Sequence, residues 1–349
     1  MIFFWYRNQV WTRWRVIVKF NKYILICLIL FLSSTTSFSV EIAKYAGEFL
    51  STGVGAKALG MGGAHVAIGG DATFGYWNPA GLSNINYPEI TAMHSRRFGG
   101  VVNYDYAGFA LPFRAKESLA LNIIRLAVDD IPIPVLQNQN VELSEFNRPY
   151  VDRYVSDAEY AVFLSYAKKR SKRFSYGANV KFIRKGVGDN SAWGIGFDIG
   201  ALWNPAGKLM VGANFQDLTT TSLAWDTGTK ELISPTFKTG LVYPFPFRFI
   251  KSDLLLAADT DIRAEGRQFS AQMNIGPISV DPRIGAELLI RNVVALRVGR
   301  DDIGSLTAGA GIKLPRLDLD YAFLSHDELD TAHRISLRLR LEEEKFFRK

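Results

Sequence analysis

The chain has 349 residues, of which 48% are hydrophobic and 21% are charged, with 30 glycines and one cysteine. This composition excludes a disordered protein and a coiled coil. It also excludes a bundle of membrane-spanning helices, because the longest apolar run, residues 23–32, is only about half of the roughly 20 residues that a spanning helix needs.

The net charge of +7 raises the question of a nucleic-acid partner. The excess charge lies at the start of the chain, where residues 1–39 contain five basic residues and no acidic one. The apolar run 23–32 follows the basic residues, and Ser37 and Ser39 end the polar stretch behind it. This order is typical of a secretory signal peptide. We therefore predict a signal peptide over residues 1–39, cleaved near Ser39, whose removal lowers the net charge from +7 to +2. Nucleic acid is not expected as a partner.

The single cysteine, Cys27, lies inside the predicted signal peptide. Ile26 precedes it, where a lipoprotein signal would need a small residue, so a lipid anchor is not expected. The mature chain then has no cysteine, which excludes disulfides, thiolate zinc sites and cysteine nucleophiles. An exported chain of this size without disulfides needs a large core or a membrane to stabilise it.

Residues 40–88 are rich in glycine and precede the first predicted strand. Gly53 and Gly55 suggest a phosphate-binding loop, but Ala58 stands where such a loop needs a third glycine, and no Gly-Lys-Ser/Thr sequence follows. Glycine at this density instead indicates tight turns and close backbone packing. We expect this segment to bind neither a nucleotide nor another cofactor.

A period-two pattern from residue 89 onward predicts β-strands. In residues 334–341 every second residue is Ile or Leu and the residues between them are Arg or Ser, which gives a strand one apolar and one charged face. Fifteen segments fit this pattern. The weakest is 268–276, because two prolines follow it closely, and single-chain outer-membrane barrels have even strand numbers. The sequence predicts an all-β, antiparallel transmembrane barrel of about 14 strands over residues 89–342, with a charged C-terminal tail, 343–349.

A soluble exported β-sandwich or propeller would show the same alternation, because its apolar face fills a core. The export signal, the absence of a blade-length repeat and the aromatic residues near many strand ends favour a barrel in the bacterial outer membrane. In that barrel the aliphatic face meets outer-membrane lipid, and Arg, Asp and Asn side chains line the interior.

The chain offers little for catalysis or metal binding. It has four histidines, no Gly-x-Ser-x-Gly elbow and no His-Glu-x-x-His pair. Acidic pairs that could hold a divalent cation are more simply explained as solvated loop or lumen carboxylates. These pairs are Asp129 with Asp130, Asp259 with Asp261, and Asp301 with Asp302. We predict no enzymatic activity, no metal and no cofactor.

Three motifs in the N-terminal part carry a family resemblance: GAKALGMGGA at 55–64, GDA at 70–72 and YWNPAGL at 76–82. They resemble the N-terminal signature of the PorV/PorQ family of outer-membrane proteins, which is related to FadL-type barrels through the Asn-Pro-Ala element. The resemblance implies a FadL-like barrel whose N-terminal segment, residues 40–88, folds inside the lumen as a plug or hatch. The motif residues of this plug are Gly60, Gly62, Gly63, Asn78, Pro79 and Gly81.

The resemblance implies two functions from different classes. The main prediction is a component of the type IX secretion system that binds the C-terminal signal domains of exported proteins and passes them to other secretion components. The alternative is a FadL-like channel for uptake of a hydrophobic small molecule. For either function we expect a loop of Ile131, Pro132, Ile133 and Pro134 to contact the partner or ligand. Equally, these prolines would serve only to stop the loop pairing as an edge strand.

Overall fold

The computed structural model describes residues 47–247, 251–264, 272–325 and 331–348. The predicted signal peptide, its cleavage site near Ser39 and the first residues of the predicted plug lie outside these ranges. Within them, no helix combines the length and the apolar character that a membrane span requires.

Fourteen antiparallel strands form a closed barrel. Each pairs with the barrel strand that follows it, and β17 pairs with β1 from Arg340–Glu89 to His333–Arg96, which closes the ring of strands. The barrel strands are β1 (Glu89–Arg97), β2 (Val102–Arg114), β3 (Glu117–Leu136), β4 (Pro149–Lys169), β5 (Phe174–Val187), β6 (Asn190–Trp203), β7 (Met210–Gln216), β10 (Thr236–Phe247), β11 (Ser252–Arg263), β13 (Ile278–Ile290), β14 (Val294–Arg300), β15 (Leu306–Lys313), β16 (Leu317–Leu324) and β17 (Ala332–Arg340). Three short strands accompany them: β8 (Thr221–Trp225), β9 (Lys230–Ile233) and β12 (Met273–Ile275).

Side chains alternate between the two faces of the wall as the sequence predicts. In β17, Arg334 and Ser336 are buried in the interior, whereas Ile335 and Leu337 are 52% and 44% exposed on the outside. The predictions of a fourteen-stranded barrel and of its polar interior are therefore confirmed. Segment 268–276 adds no barrel strand, since its described part contains only the three-residue β12.

The two ends of the barrel differ. We call the end at which β1 begins and β17 ends the terminal end, and the opposite end the loop end. Turns at the terminal end are short, as between β2 and β3, whereas the β3–β4 hairpin extends past its neighbours at the loop end. Short turns at the end that holds the termini and longer loops opposite are typical of outer-membrane barrels.

The prediction that Ile131, Pro132, Ile133 and Pro134 form a loop is wrong, because these residues belong to β3. Their contact with a partner or ligand stays a prediction. The four residues pair with β4, with register shifts after Val128 and after Ile133. Pairing between β2 and β3 ends at Val128, so the prolines lie where β3 has one unpaired edge. A proline lacks the N–H donor that a central strand needs, and it is tolerated at such an edge or at a bulge.

The seventh barrel strand is interrupted. β7 ends at Gln216, residues 217–220 leave the ladder, and the chain rejoins β6 as β8. Asp217 and Thr220 have φ angles of 55° and 57°, in the left-handed region that residues other than glycine rarely adopt. We call residues 217–220 the β7 bulge. No strand is predicted from the sequence at β8 and β9, because four or five residues are too few to establish a periodicity.

The N-terminal segment, which we define as residues 47–88, lies inside the barrel. It contains the helices α1 (Glu48–Ser51), α2 (Ala56–Gly60) and α3 (Phe74–Trp77) and a 3₁₀ helix, Pro79–Asn84. Its backbone groups are hydrogen-bonded by inward side chains around the wall: Ser118 (β3), Asn179 (β5), Asn214 (β7), Asp259 (β11), Thr307 (β15) and Ser336 (β17). These bonds replace the water that the segment's buried polar groups would otherwise need.

The residues after β17 fold back against the terminal end. The backbone N–H of Arg348 donates to the Asn86 carbonyl at 3.0 Å, and its guanidinium donates to the Ser83 carbonyl at 2.8 Å and to the Ser118 hydroxyl. The Phe347 and Tyr87 rings lie 5.2 Å apart. The tail thereby joins the N-terminal segment to β3.

Candidate functional site

The glycines of the predicted plug motif lie where the N-terminal segment meets the wall or itself. A Cβ at Gly62, which has a φ of +65°, would lie 2.4 Å from the carbonyl oxygen of Arg300, and one at Gly81 would lie 2.2 Å from the Phe74 ring. The nearest atoms to an added Cβ belong to Gly309 at Gly60 and to the Arg283 side chain at Gly63. At Gly62 and Gly81 only a residue without a side chain allows this approach, whereas a Cβ at Gly60 or Gly63 would make a tight contact of 3.2 Å.

Asn78 and Pro79 begin the 3₁₀ helix of the N-terminal segment. The fully buried Asn78 side chain accepts from the Ala80 N–H at 3.1 Å, which caps that helix, and Pro79 occupies a first-turn position where no N–H is needed. The Asn78 amide also donates to the carbonyls of Val66 at 3.0 Å and Ala201 in β6 at 3.1 Å. One side chain therefore ties two parts of the segment to the wall.

His65 is a packing residue of the interior. Its ring lies 4.9 Å from that of Phe74 and 5.7 Å from that of Trp77, and burial lowers the pKa of His65 to about 3. The backbone N–H groups of His65 and Val66 donate to one Asp259 oxygen at 2.6 and 2.7 Å. This arrangement holds a neutral imidazole in place.

A buried cluster of charges lies behind the β7 bulge. Lys181 Nζ is 3.0 Å from Asp198 Oδ1 and 2.7 Å from Asp217 Oδ1, and all three side chains are less than a tenth exposed. The Thr221 hydroxyl donates to Asp217. A Cβ at Gly196 would lie 2.5 Å from Lys181 Cε, so that glycine is required for the lysine to reach both carboxylates.

An apolar hollow of 810 Å³ faces the outside of the wall at the same place. The outward side chains of β2 to β6 line it, together with Leu218 and Thr219 of the bulge. The Leu218 N–H donates to the Phe197 carbonyl of β6 at 2.9 Å, so the bulge forms one border of the hollow. Apolar surface of this volume suits a small hydrophobic molecule.

A second cavity, of 560 Å³, lies at the loop end between α1 and the wall. Phe49, Trp77 and Leu126 form part of its lining, and the arginines that reach it are Arg97, Arg263, Arg283 and Arg334. Sequence reasoning missed this cavity, because its residues lie on strands that are far apart in the chain.

The acidic pairs considered as cation sites mostly have other partners. Asp261 lies 3.1 to 3.4 Å from the nitrogens of Lys238, Arg263 and Arg283, and Asp302 lies 2.8 Å from Arg283. Within the described ranges, no group of three or more His, Cys, Asp or Glu side chains is arranged to hold a metal ion.

Comparison with known proteins identifies the fold. No protein-family model matches the chain, and no curated protein matches it. Among solved structures, the toluene transporter TbuX of Ralstonia pickettii matches with a TM-score of 0.54 and 12% identity over 82% of this chain and 98% of that one. The toluene transporter TodX of P. putida matches with a TM-score of 0.52 and 12% identity, over 84% and 99%. A Pseudomonas aeruginosa FadL homologue matches with a TM-score of 0.50 and 12% identity, over 82% and 98%.

At 12% identity these matches establish the fold alone. They support the FadL-like part of the resemblance and do not show the PorV/PorQ part. The chain therefore has the closed fourteen-stranded fold of the FadL-like outer-membrane barrels.

Proposed function

We propose that the chain is an outer-membrane channel for a hydrophobic small molecule, which crosses the wall at the β7 bulge. The observation that carries this proposal is the apolar hollow of 810 Å³ beside residues 217–220, which leave the ladder between β7 and β6. Two of the similar structures, TbuX and TodX, are toluene transporters, which supports the same class of solute for this chain.

The packed interior of the barrel favours a route through the wall over a route along the barrel axis. The N-terminal segment fills the barrel, with residues such as Val54, Phe74 and Leu82 fully buried, so an axial path is obstructed. The β7 bulge lacks the hydrogen-bonded ladder that joins β6 to β7 on one side of it and to β8 on the other. A solute would enter the cavity at the loop end and leave at the hollow, directly into the apolar part of the membrane.

A disulfide across the bulge tests this route. Leu218 and Phe197 are neighbours through a backbone hydrogen bond of 2.9 Å, so Leu218→Cys with Phe197→Cys, in a Cys27→Ser background, should join the bulge to β6 on oxidation. We expect oxidised protein in vesicles to pass toluene several-fold more slowly than reduced protein. The matched control is Leu296→Cys with Ala310→Cys, a directly paired position of β14 and β15. Equal rates for the oxidised and reduced bulge variant would refute the route.

The secretion role is a second candidate, supported by the tip of the β3–β4 hairpin. Leu143 and Phe146 there are 70% and 95% exposed, which leaves two large apolar side chains available for contact with a protein partner. Exported proteins with a shared C-terminal domain should then co-purify with the wild type and be lost with Phe146→Ser. A wild-type preparation without such proteins would exclude this candidate.

A further inference from the structure

The turns at the terminal end carry one sign of charge. Six turns join barrel strands there, and their sequences contain nine basic residues and no acidic one. These turns are residues 115–116, 170–173, 204–209, 248–251, 291–293 and 314–316. Eight of the basic residues lie in the described ranges, and all eight are exposed. We call them the basic rim: Lys116, Arg170, Lys172, Arg173, Lys208, Lys251, Arg291 and Arg316.

This charge is specific to one end of the barrel. The loop-end connections that the structure describes in full contain eight acidic and two basic residues. They are residues 98–101, 137–148, 188–189, 217–235 and 301–305. The residues after β17, 341–349, have three acidic and three basic side chains and leave the balance at the terminal end unchanged. The two ends therefore carry opposite charge.

Backbone hydrogen bonds fix the positions of the rim residues. The carbonyls of Lys116, Arg173, Lys251 and Arg316 each accept from the backbone N–H of a residue on the next part of the wall. The donors are Lys169 at 2.7 Å, Asn204 at 2.8 Å, Arg291 at 2.9 Å and Arg340 at 2.8 Å, in the same order. Because these bonds use only the main chain, they hold neighbouring turns together and leave the cationic side chains exposed.

Outward aromatic side chains place the rim at a defined depth in the membrane. Phe113, Phe174, Trp203 and Phe247 stand at the terminal ends of their strands and are 39% to 53% exposed on the outer face. Aromatic residues at the ends of barrel strands mark the boundary between membrane and water. The rim lies just beyond this boundary, at the level of the lipid headgroups.

We propose that the basic rim binds the anionic headgroups of phospholipids in the periplasmic leaflet of the outer membrane. Short turns face the periplasm in such barrels, basic residues beside an anionic lipid surface attract its headgroups, and guanidinium groups match phosphate oxygens. The rim follows the turns around the barrel, as surrounding lipid does, whereas an acidic protein would contact one side. This inference rests on the fold and the charge, and is independent of the proposed channel function.

Two outward tryptophans of β6 allow the lipid at each end to be measured separately. Trp203 lies at the terminal end opposite Phe174 of β5, and Trp193 lies near the loop end. They have similar exposures, 53% and 60%. In phosphatidylcholine vesicles that contain a minor fraction of brominated lipid, bromine quenches the tryptophans beside it. The quenching that Trp203→Phe removes reports lipid at the rim, and the quenching that Trp193→Phe removes reports lipid near the loop end.

We expect brominated phosphatidylglycerol to quench Trp203 about two- to fourfold more than brominated phosphatidylcholine does at low salt, and molar salt to remove this preference. Trp193 should show no such preference. Arg170→Gln with Lys172→Gln and Arg173→Gln should abolish most of the preference, because this turn is bonded to Asn204, the residue after Trp203. Arg148→Gln with Arg153→Gln and Lys230→Gln, which removes three exposed charges at the loop end, is the matched control and should keep it.

Three outcomes would overturn the proposal: equal quenching of Trp203 by the two lipids, an equal preference at Trp193, or an unchanged preference in the rim variant. A rim that serves an acidic periplasmic protein would give the first of them. The salt dependence tests the role of charge in the wild type, so the result does not depend on how well the variants fold.

Discussion

At the residue scale, the close approach of the N-terminal segment to the wall depends on positions that hold no side chain. Glycine-rich composition predicts close packing for residues 40–88, and the neighbours of Gly62 and Gly81 agree with that interpretation. The sequence could not say which backbone each glycine meets, because Gly62 and Arg300 are brought together only by the closed barrel. The functional role of the plug motif stays a prediction.

Gly62→Ala should destabilise the folded barrel by about 1–3 kcal/mol more than Gly207→Ala. Both glycines have positive φ angles, +65° and +56°, but an added Cβ meets Arg300 backbone at 2.4 Å in the first case and nothing within 4 Å in the second. Overpacking therefore adds to the backbone strain at Gly62 alone. The midpoint of urea unfolding, followed by the gel mobility of unheated samples, measures the difference. Equal shifts for the two variants would contradict a close approach at Gly62.

At the element scale, the β7 bulge is the least predictable feature of the wall. In β7 the odd-numbered residues Val211, Ala213 and Phe215 face outward, and continued alternation would turn Asp217 toward lipid. The bulge instead places Asp217 in the interior beside Lys181. A charged residue at an outward position is the sequence signal that could have located the interruption. Lys181 as its partner was not predictable, because strand periodicity carries no information about which strands are neighbours across a bulge.

Lys181→Met should destabilise the barrel by about 3–5 kcal/mol, because it leaves Asp198 and Asp217 buried without their cation. Arg153→Met is the matched control: the Arg153–Asp189 pair has a similar distance, 2.9 Å, but both side chains are more than half exposed, and such pairs contribute about 0–1 kcal/mol. Urea unfolding in detergent micelles compares the two variants. If Lys181→Met lowers the free energy of unfolding no more than Arg153→Met does, the charge cluster does not hold the bulge in place.

At the scale of the whole molecule, the alternation of apolar and polar residues predicts a barrel, the orientation of its two faces and about 14 strands. The pattern succeeds because the outer face meets one apolar environment along every strand, so the period repeats throughout the chain. The pattern does not predict the strand correctly where a strand extends beyond its neighbour and so leaves the closed wall. The extension of β3 that contains Pro132 and Pro134 stands beyond the ladder with β2, and the composition of such an edge resembles that of a loop.

The outer face should tolerate charge according to depth. Leu337 lies near the middle of β17 and Leu341 at the terminal end, with similar exposures of 44% and 39%. We expect Leu337→Arg to lower the free energy of unfolding in lipid vesicles by about 2–4 kcal/mol, because a charge is least tolerated at the bilayer midplane. Leu341→Arg should lower it by only about 0–1 kcal/mol. Equilibrium unfolding from vesicles gives both values. Equal costs would mean that β17 does not cross the bilayer as its exposure suggests.

The hydrogen bonds of the N-terminal segment also constrain the order of folding. Its Ala56 N–H binds Ser336, 280 positions away, and its Ser83 carbonyl binds Arg348, 265 positions away. Contacts of such long sequence separation form late and slowly. The N-terminal segment, which is made before the barrel strands, therefore acquires its final partners last, when β17 reaches β1. Closure of the wall and burial of the segment are then a single kinetic event, and a barrel that closes without the segment would enclose an unfilled, charged lumen.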